Sequence, residues 1–121
     1  EGILKSDDSL RVYDPNKKYL STQDGINDVG YFWWGIELAM DHSLTNTVVY
    51  LMKQQAAAIA IQGAIIGAIY MPTGVVAGIV AVIIGMIAET ISYVDDGYGV
   101  WMDFTDYYVF LEMGAQPDAG Y

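Results

Sequence analysis

The longest apolar run in the chain, Ala56–Ile91, holds no Lys, Arg or Asp, and its one charge, Glu89, lies near its end. Polar positions stop on one side of it and resume on the other. Asp41 or Ser43 is a fitting N-cap for a helix through Leu44–Tyr70. Pro72 ends that helix, because its ring clashes with a continuing turn. Thr73 can cap a second helix from about Gly74 to Tyr93, and Gly97 after Asp95-Asp96 can take the left-handed conformation that closes many helices. The pattern predicts a hairpin of two hydrophobic helices over residues 44–93, with its bend at Pro72, Thr73 and Gly74.

The flanks have another period. In Tyr31–Met40, Ile36, Leu38 and Met40 alternate with Gly35, Glu37 and Ala39, which predicts a strand with one buried face. A helix competes, since Glu, Leu, Ala and Met are good helix formers, but the preceding aromatic run favours the strand. After the hairpin, Val100, Met102 and Phe104 fall on one face and Trp101 and Asp103 on the other, and Tyr107–Met113 is a further strand candidate. Residues 1–30 are dense in turn formers and read as a polar arm, while 114–121 reads as a short tail. The expectation is therefore one α+β domain over residues 1–121: a hydrophobic helical hairpin flanked by a small β-sheet from 31–40 and 98–113.

Small residues recur four apart within the hairpin. Gly63 and Gly67 frame one such pair and Gly74 and Gly78 another, with Gly85 in a similar row of the second arm. Residues four apart share a helix face, and small ones there let helix backbones approach closely. Each glycine costs a helix roughly 1 kcal/mol against alanine, so these five are expected at a close helix–helix contact that offsets the cost.

Charge and aromatic content narrow the possible partners. The net charge is −10, and no base follows Lys53. Nucleic acid is excluded as a partner, and any membrane affinity must be hydrophobic rather than charge-driven. There is no Cys, so disulfides and thiolate metal sites are excluded. The Tyr and Trp residues gather on both sides of the hairpin. Trp33, Trp34, Trp101, Tyr107 and Tyr108 are the candidate aromatic interface, suited either to lipid headgroups or to protein contacts. The start at Glu1 rather than Met reads as a processed mature chain.

Candidate chemistry is sparse. Asp41-His42-Ser43 holds the residue types of a hydrolase triad, but adjacent residues cannot converge on one reacting atom. Asp95, Asp96, Asp103 and Asp106 offer hard oxygen ligands at a spacing that fits no calcium loop. No catalytic, cofactor or metal residue is assigned, and a non-enzymatic protein is expected.

The order of Trp33-Trp34-Gly35 opening a strand, an Ala/Gly-rich hairpin with Pro at its bend, then Gly97-Tyr98-Gly99-Val100 opening another strand resembles small secreted bacteriocin-like proteins. The likeness covers Tyr31–Phe104. It implies secretion, no catalysis, and action on a cell envelope, although this chain is acidic where membrane-killing peptides are usually basic. Two partners are thus expected for the hairpin: membrane lipid, with the protein membrane-active and extracellular, or identical subunits in a homo-oligomeric filament or coat. Copies packed together would crowd the acidic second half of the chain. The bases near the N-terminus (Lys5, Arg11, Lys17, Lys18) are the available counter-charge.

Overall fold

The two segments with period-two alternation lie side by side at the centre of the molecule. A computed structural model describes residues 25–117. Four antiparallel strands form one sheet in sequence order: β1 (Asp28–Phe32), β2 (Gly35–Met40), β3 (Val100–Phe104) and β4 (Phe110–Ala115). The predicted strand over 31–40 is in fact the end of one strand and the whole of another. β1 and β2 meet through the two-residue turn Trp33-Trp34, with Phe32 opposite Gly35. Gly35 has φ +149°, and a Cβ there would run into the Phe104 carbonyl oxygen on β3. Gly99 has φ +85°, and a Cβ there would run into the Met40 carbonyl oxygen. Gly35 of the WWG motif and Gly99, the second glycine of the GxGV motif, are thus points where a turn backbone presses on the neighbouring strand.

Four helices connect β2 to β3: α1 (His42–Lys53), α2 (Ala58–Ala68), α3 (Thr73–Ile84) and α4 (Ala88–Val94). The expected hairpin of two long arms is broken in two further places. Gln55 adopts φ +57° between α1 and α2, and α3 and α4 meet at 102° across Gly85–Ile87. These breaks let α1 pack on both α2 and α4, and α2 on α3, over one face of the sheet. Two straight arms would leave most of their apolar surface bare, whereas four short helices fold back over one core.

That core follows helical spacing. Ile61 and Ile65 of α2, and Val76, Ile79, Val80 and Ile83 of α3, are buried against Ile36, Leu38, Met40, Val100, Met102 and Phe104 of the sheet. Each fully buried Ile, Leu or Phe contributes about 1.5–3 kcal/mol. The predicted alternation holds: those strand residues face the helices, while Ala39 and Trp101 face away and cluster with Ile26 and Phe32.

The helix ends differ from the expected caps in two places. Asp41 caps α1, its Oδ1 accepting from the Leu44 N–H at 2.8 Å. Thr73 caps nothing: Pro72 holds the position before α3 and Thr73 is the first helical residue. A Pro there supplies the extended φ/ψ that enters a helix without needing its own N–H. Gly97 has φ +103°, but α4 already ends at Asp95 with extended backbone, so Gly97 shapes the turn into β3 rather than closing the helix. The expected polar arm lies mostly outside the described residues, and its described part, from Gly25, leads into β1 at Asp28.

Candidate functional site

The register of β2 with β3 sets the two ends of the molecule. Ile36 pairs with Phe104 at one end and Met40 with Val100 at the other. The first end therefore carries both the β1–β2 turn and the β3–β4 loop. Tyr31 and Trp33 come from the turn region, Tyr107 and Tyr108 from the loop. The α2–α3 bend joins them: Tyr70 and Tyr108 are close enough that their phenolates act on Tyr31. The Tyr31 hydroxyl titrates above its ordinary 10.0, chiefly because partial burial desolvates the phenolate, with Tyr108 and then Tyr70 adding to the effect.

Several of these rings point outward. Trp33 is 87 % exposed, Tyr70 93 % and Tyr107 88 %. Within the three segments that build this end (29–36, 69–74 and 105–109) Asp106 is the one ionised side chain. The opposite end gathers charge. Asp41 Oδ2 accepts from Asn27 Nδ2 at 3.0 Å, and the Asp41 N–H donates to Asn27 Oδ1 at 2.7 Å. His42 Nδ1 lies 2.7 Å from Asp95 Oδ2, while Asn46 Nδ2 meets His42 Nε2 at 3.1 Å. Because an amide nitrogen can only donate, Nε2 accepts and Nδ1 carries the hydrogen toward Asp95. Asp95 Oδ1 accepts from the Gly97 and Gly99 N–H groups at 2.8 and 2.9 Å, which fixes the turn into β3. His42 is thus held in a structural link between α1 and that turn.

The five candidate aromatic residues divide. Trp33 and Tyr107 stand outward. Trp34 is half-buried, its ring stacked on Phe32 with centroids 5.2 Å apart. Tyr108 is half-buried, with φ +63°, and its ring lies against Gly78 of α3. Trp101 belongs to no outer surface: it is 4 % exposed and its Nε1 donates to the Ala115 carbonyl at 3.2 Å. Tyr31 and Tyr70 were missed. The signal for Tyr70 was its place just before Met71-Pro72, since a bend projects its side chains away from both arms.

The glycines are also redistributed. Within one copy, Gly63, Gly67 and Gly74 do not form the helix–helix contact expected of them: they are exposed, and a Cβ on each would meet nothing within 4 Å. Gly85 is exposed at the end of α3, where a Cβ would meet only the Val82 carbonyl oxygen at 3.5 Å. Only Gly78 is tightly covered, by an aromatic ring rather than a helix. Isoleucines bury more apolar area than glycines, so α2 turned Ile61 and Ile65 inward and its small residues outward. The outward face of α2 and α3 therefore carries Ile59, Gly63, Ile66, Gly67, Gly74 and Ile84, with no charge. It continues to the aromatic end through Tyr70.

Other candidates are simpler. Glu89 is exposed in the first turn of α4, at a groove that also borders Lys53. Among the described residues no group of three or more His, Asp or Glu side chains is placed to hold a metal ion. Among them, too, no single helix is long and apolar enough to cross a membrane; the bent pair α3–α4 would qualify by length and composition only. No family model, curated protein or solved structure matches the chain.

Proposed function

We propose that this is a secreted, non-enzymatic, membrane-active protein that enters the lipid–water interface with its aromatic end and the outward face of α2–α3. The observation that carries this reading is the polarity of the molecule. Trp33, Tyr70 and Tyr107 project from an end with one charge, and the Asp41–His42–Asp95 group occupies the other. Trp and Tyr rings favour the headgroup level, and an acidic pole is best kept in water. Helices of 11 and 12 residues reach about 16–18 Å, against the ~30 Å of a hydrocarbon core, so the mode is partial insertion rather than spanning. The likeness to bacteriocin-like proteins supports the same reading.

A second reading has its own support. Gly63, Gly67 and Gly74 leave open space on the outward face, which would admit a second helix at close range. In that case identical copies bury the face against one another, as in a filament or coat.

Flotation with neutral phosphatidylcholine vesicles tests the first reading. The protein is expected to float with them, and less so when anionic lipid is added at low salt, because both surfaces are then negative. Failure to float, with defined oligomers formed in the absence of lipid, would reject the membrane reading in favour of the assembly.

A further inference from the structure

Two cavities meet at the elbow between α3 and α4. The first, of about 640 Å³, opens between the end of α1 and the start of α4, with Ile61 and Ile84 among its apolar walls. Lys53 borders it from the last turn of α1 and Glu89 from the first turn of α4. The second, of about 400 Å³, runs between α4 and β4 and is lined by Val82, Ile91, Phe110 and Met113, with Thr90 as its one polar side chain. Met86 and Ile87 line both, so the elbow is a wall common to the two. Ile87 is 65 % exposed, which leaves that wall open to solvent. Small-ligand sites have about this size, 300–1,000 Å³, and this make-up, mostly apolar with a few placed polar groups.

Charge is sorted between the cavities. Among the described residues Lys53 is the one Lys or Arg, and it stands at the first cavity. No ion pair joins it to Glu89, and both are exposed, so one positive and one negative group border the same recess. Each charge also suits its own helix end, a base in the last turn and an acid in the first. That role does not require the two to share a cavity, nor to have an apolar groove beside it. An anionic head would be drawn to Lys53 and repelled by Glu89, and a cationic head the reverse. A head carrying both charges satisfies both.

We propose that the elbow binds one single-chain zwitterionic amphiphile. The anionic group of its head lies toward Lys53 and the cationic group toward Glu89, while its hydrocarbon tail passes Ile87 into the groove along β4. Charge complementarity selects the head, and the uncharged lining of the second cavity selects the tail. The elbow lies at the end of α3 away from the Tyr70 bend, so the site does not rest on the role given to the aromatic end. The two readings fail separately: vesicles can float the protein with the elbow empty, and a dispersed amphiphile can bind with no vesicle present.

Isothermal titration of the full-length chain with alkylphosphocholines, kept below their micellar concentrations, tests the proposal. Saturable binding of one amphiphile per chain is expected. Each added methylene should tighten it about fourfold until the groove is filled, after which the affinity should level off. Alkyl sulfates and alkyltrimethylammonium ions of the same chain length, each with one of the two charges, should bind more weakly. Lys53→Gln and Glu89→Gln change exposed side chains, and each should weaken the phosphocholine about two- to fivefold. Ile87→Asp sets a charge on the wall shared by both cavities and should weaken it about tenfold or more. Asp is also a good N-cap at that position, the one before α4, so the fold is kept, as circular dichroism should confirm. Absence of saturable binding would overturn the proposal, as would several amphiphiles per chain, which mark general adsorption to the outward face of α2–α3. Equal affinity for all three head types, or full affinity in folded Ile87→Asp, would also overturn it. Affinity that falls as protein concentration rises would assign the elbow to a second copy instead.

Discussion

The ring of Tyr108 fills the space that a side chain at position 78 would occupy: a Cβ on Gly78 would stand 2.7–2.8 Å from three of its ring atoms. Tyr108 is held there with φ +63°, a conformation that bulky residues rarely adopt. Its loop is tied by Thr105, whose Oγ1 accepts from the Tyr107 and Val109 N–H groups, both at 3.1 Å. The contact fastens the β3–β4 loop to α3 and so assembles the aromatic end.

This sets a contrast among the glycines. Gly78→Ala gains about 1 kcal/mol of helix propensity but must displace the ring, and overpacking of this kind costs ~1–3 kcal/mol. A net loss of stability is expected, with the melting temperature falling by a few degrees per kcal/mol. Gly63→Ala and Gly67→Ala meet nothing, so each should raise the melting temperature of the monomer through propensity alone. Thermal melts followed by circular dichroism check all three. A stabilised Gly78→Ala would show that Tyr108 is not held against α3.

The cap of α1 allows a second test. Asp41 accepts from the Leu44 N–H and from the Asn27 amide, so Asp41→Ala removes both a helix cap and a link to the start of β1. Loss of a cap costs about 0.5–2 kcal/mol. Asp41→Asn, which can still cap, should recover much of that. Urea unfolding midpoints of the two variants separate the cap from any effect of charge.

Tyr31 reports on the aromatic end through pH. Its folded-state pKa is raised, so the neutral phenol is favoured by the fold. The associated stability is complete below the unfolded value of 10.0 and is lost as pH rises through the folded value. Because Tyr31 is 55 % exposed, solvent screens much of this and the effect on stability should be small. Difference titration of phenolate absorbance between wild type and Tyr31→Phe should show a midpoint above 10.0. Removing a neighbour in Tyr70→Phe should lower that midpoint toward the ordinary value. A Tyr31 midpoint at or below 10.0 would place the three tyrosines apart.

Much of the fold was legible because its signals are local. Alternation in 36–40 and 100–104 gave the inward face of the sheet, Pro72 gave the bend, and Asp41 was one of the two residues read as the α1 cap. The breaks at Gln55 and Gly85–Ile87 were not legible, because an almost uniformly apolar run has no polar row to show where a helix turns away from the core. Glu37, Asp103 and Glu112 stand opposite one another on β2, β3 and β4, and this was hidden for a different reason. Alternation assigns a charged strand residue to the outward face, and only the register between strands shows that three such residues align. The candidate site was legible in composition but not in placement. Aromatic residues were expected at an interface, and Trp101 instead entered the buried cluster on the sheet face away from the helices, while Tyr31 and Tyr70 joined the exposed end.

The central claim is that the aromatic end meets lipid, and depth-resolved quenching of Trp33 tests it most directly. Single-tryptophan variants retaining Trp33 or Trp101 are mixed with neutral vesicles whose acyl chains carry bromine just below the headgroups. Trp33, 87 % exposed at the β1–β2 turn, is expected to shift to the blue and to be quenched, while Trp101, 4 % exposed in the sheet, is not. Trp33 emission that stays unshifted and unquenched at saturating lipid would contradict the claim.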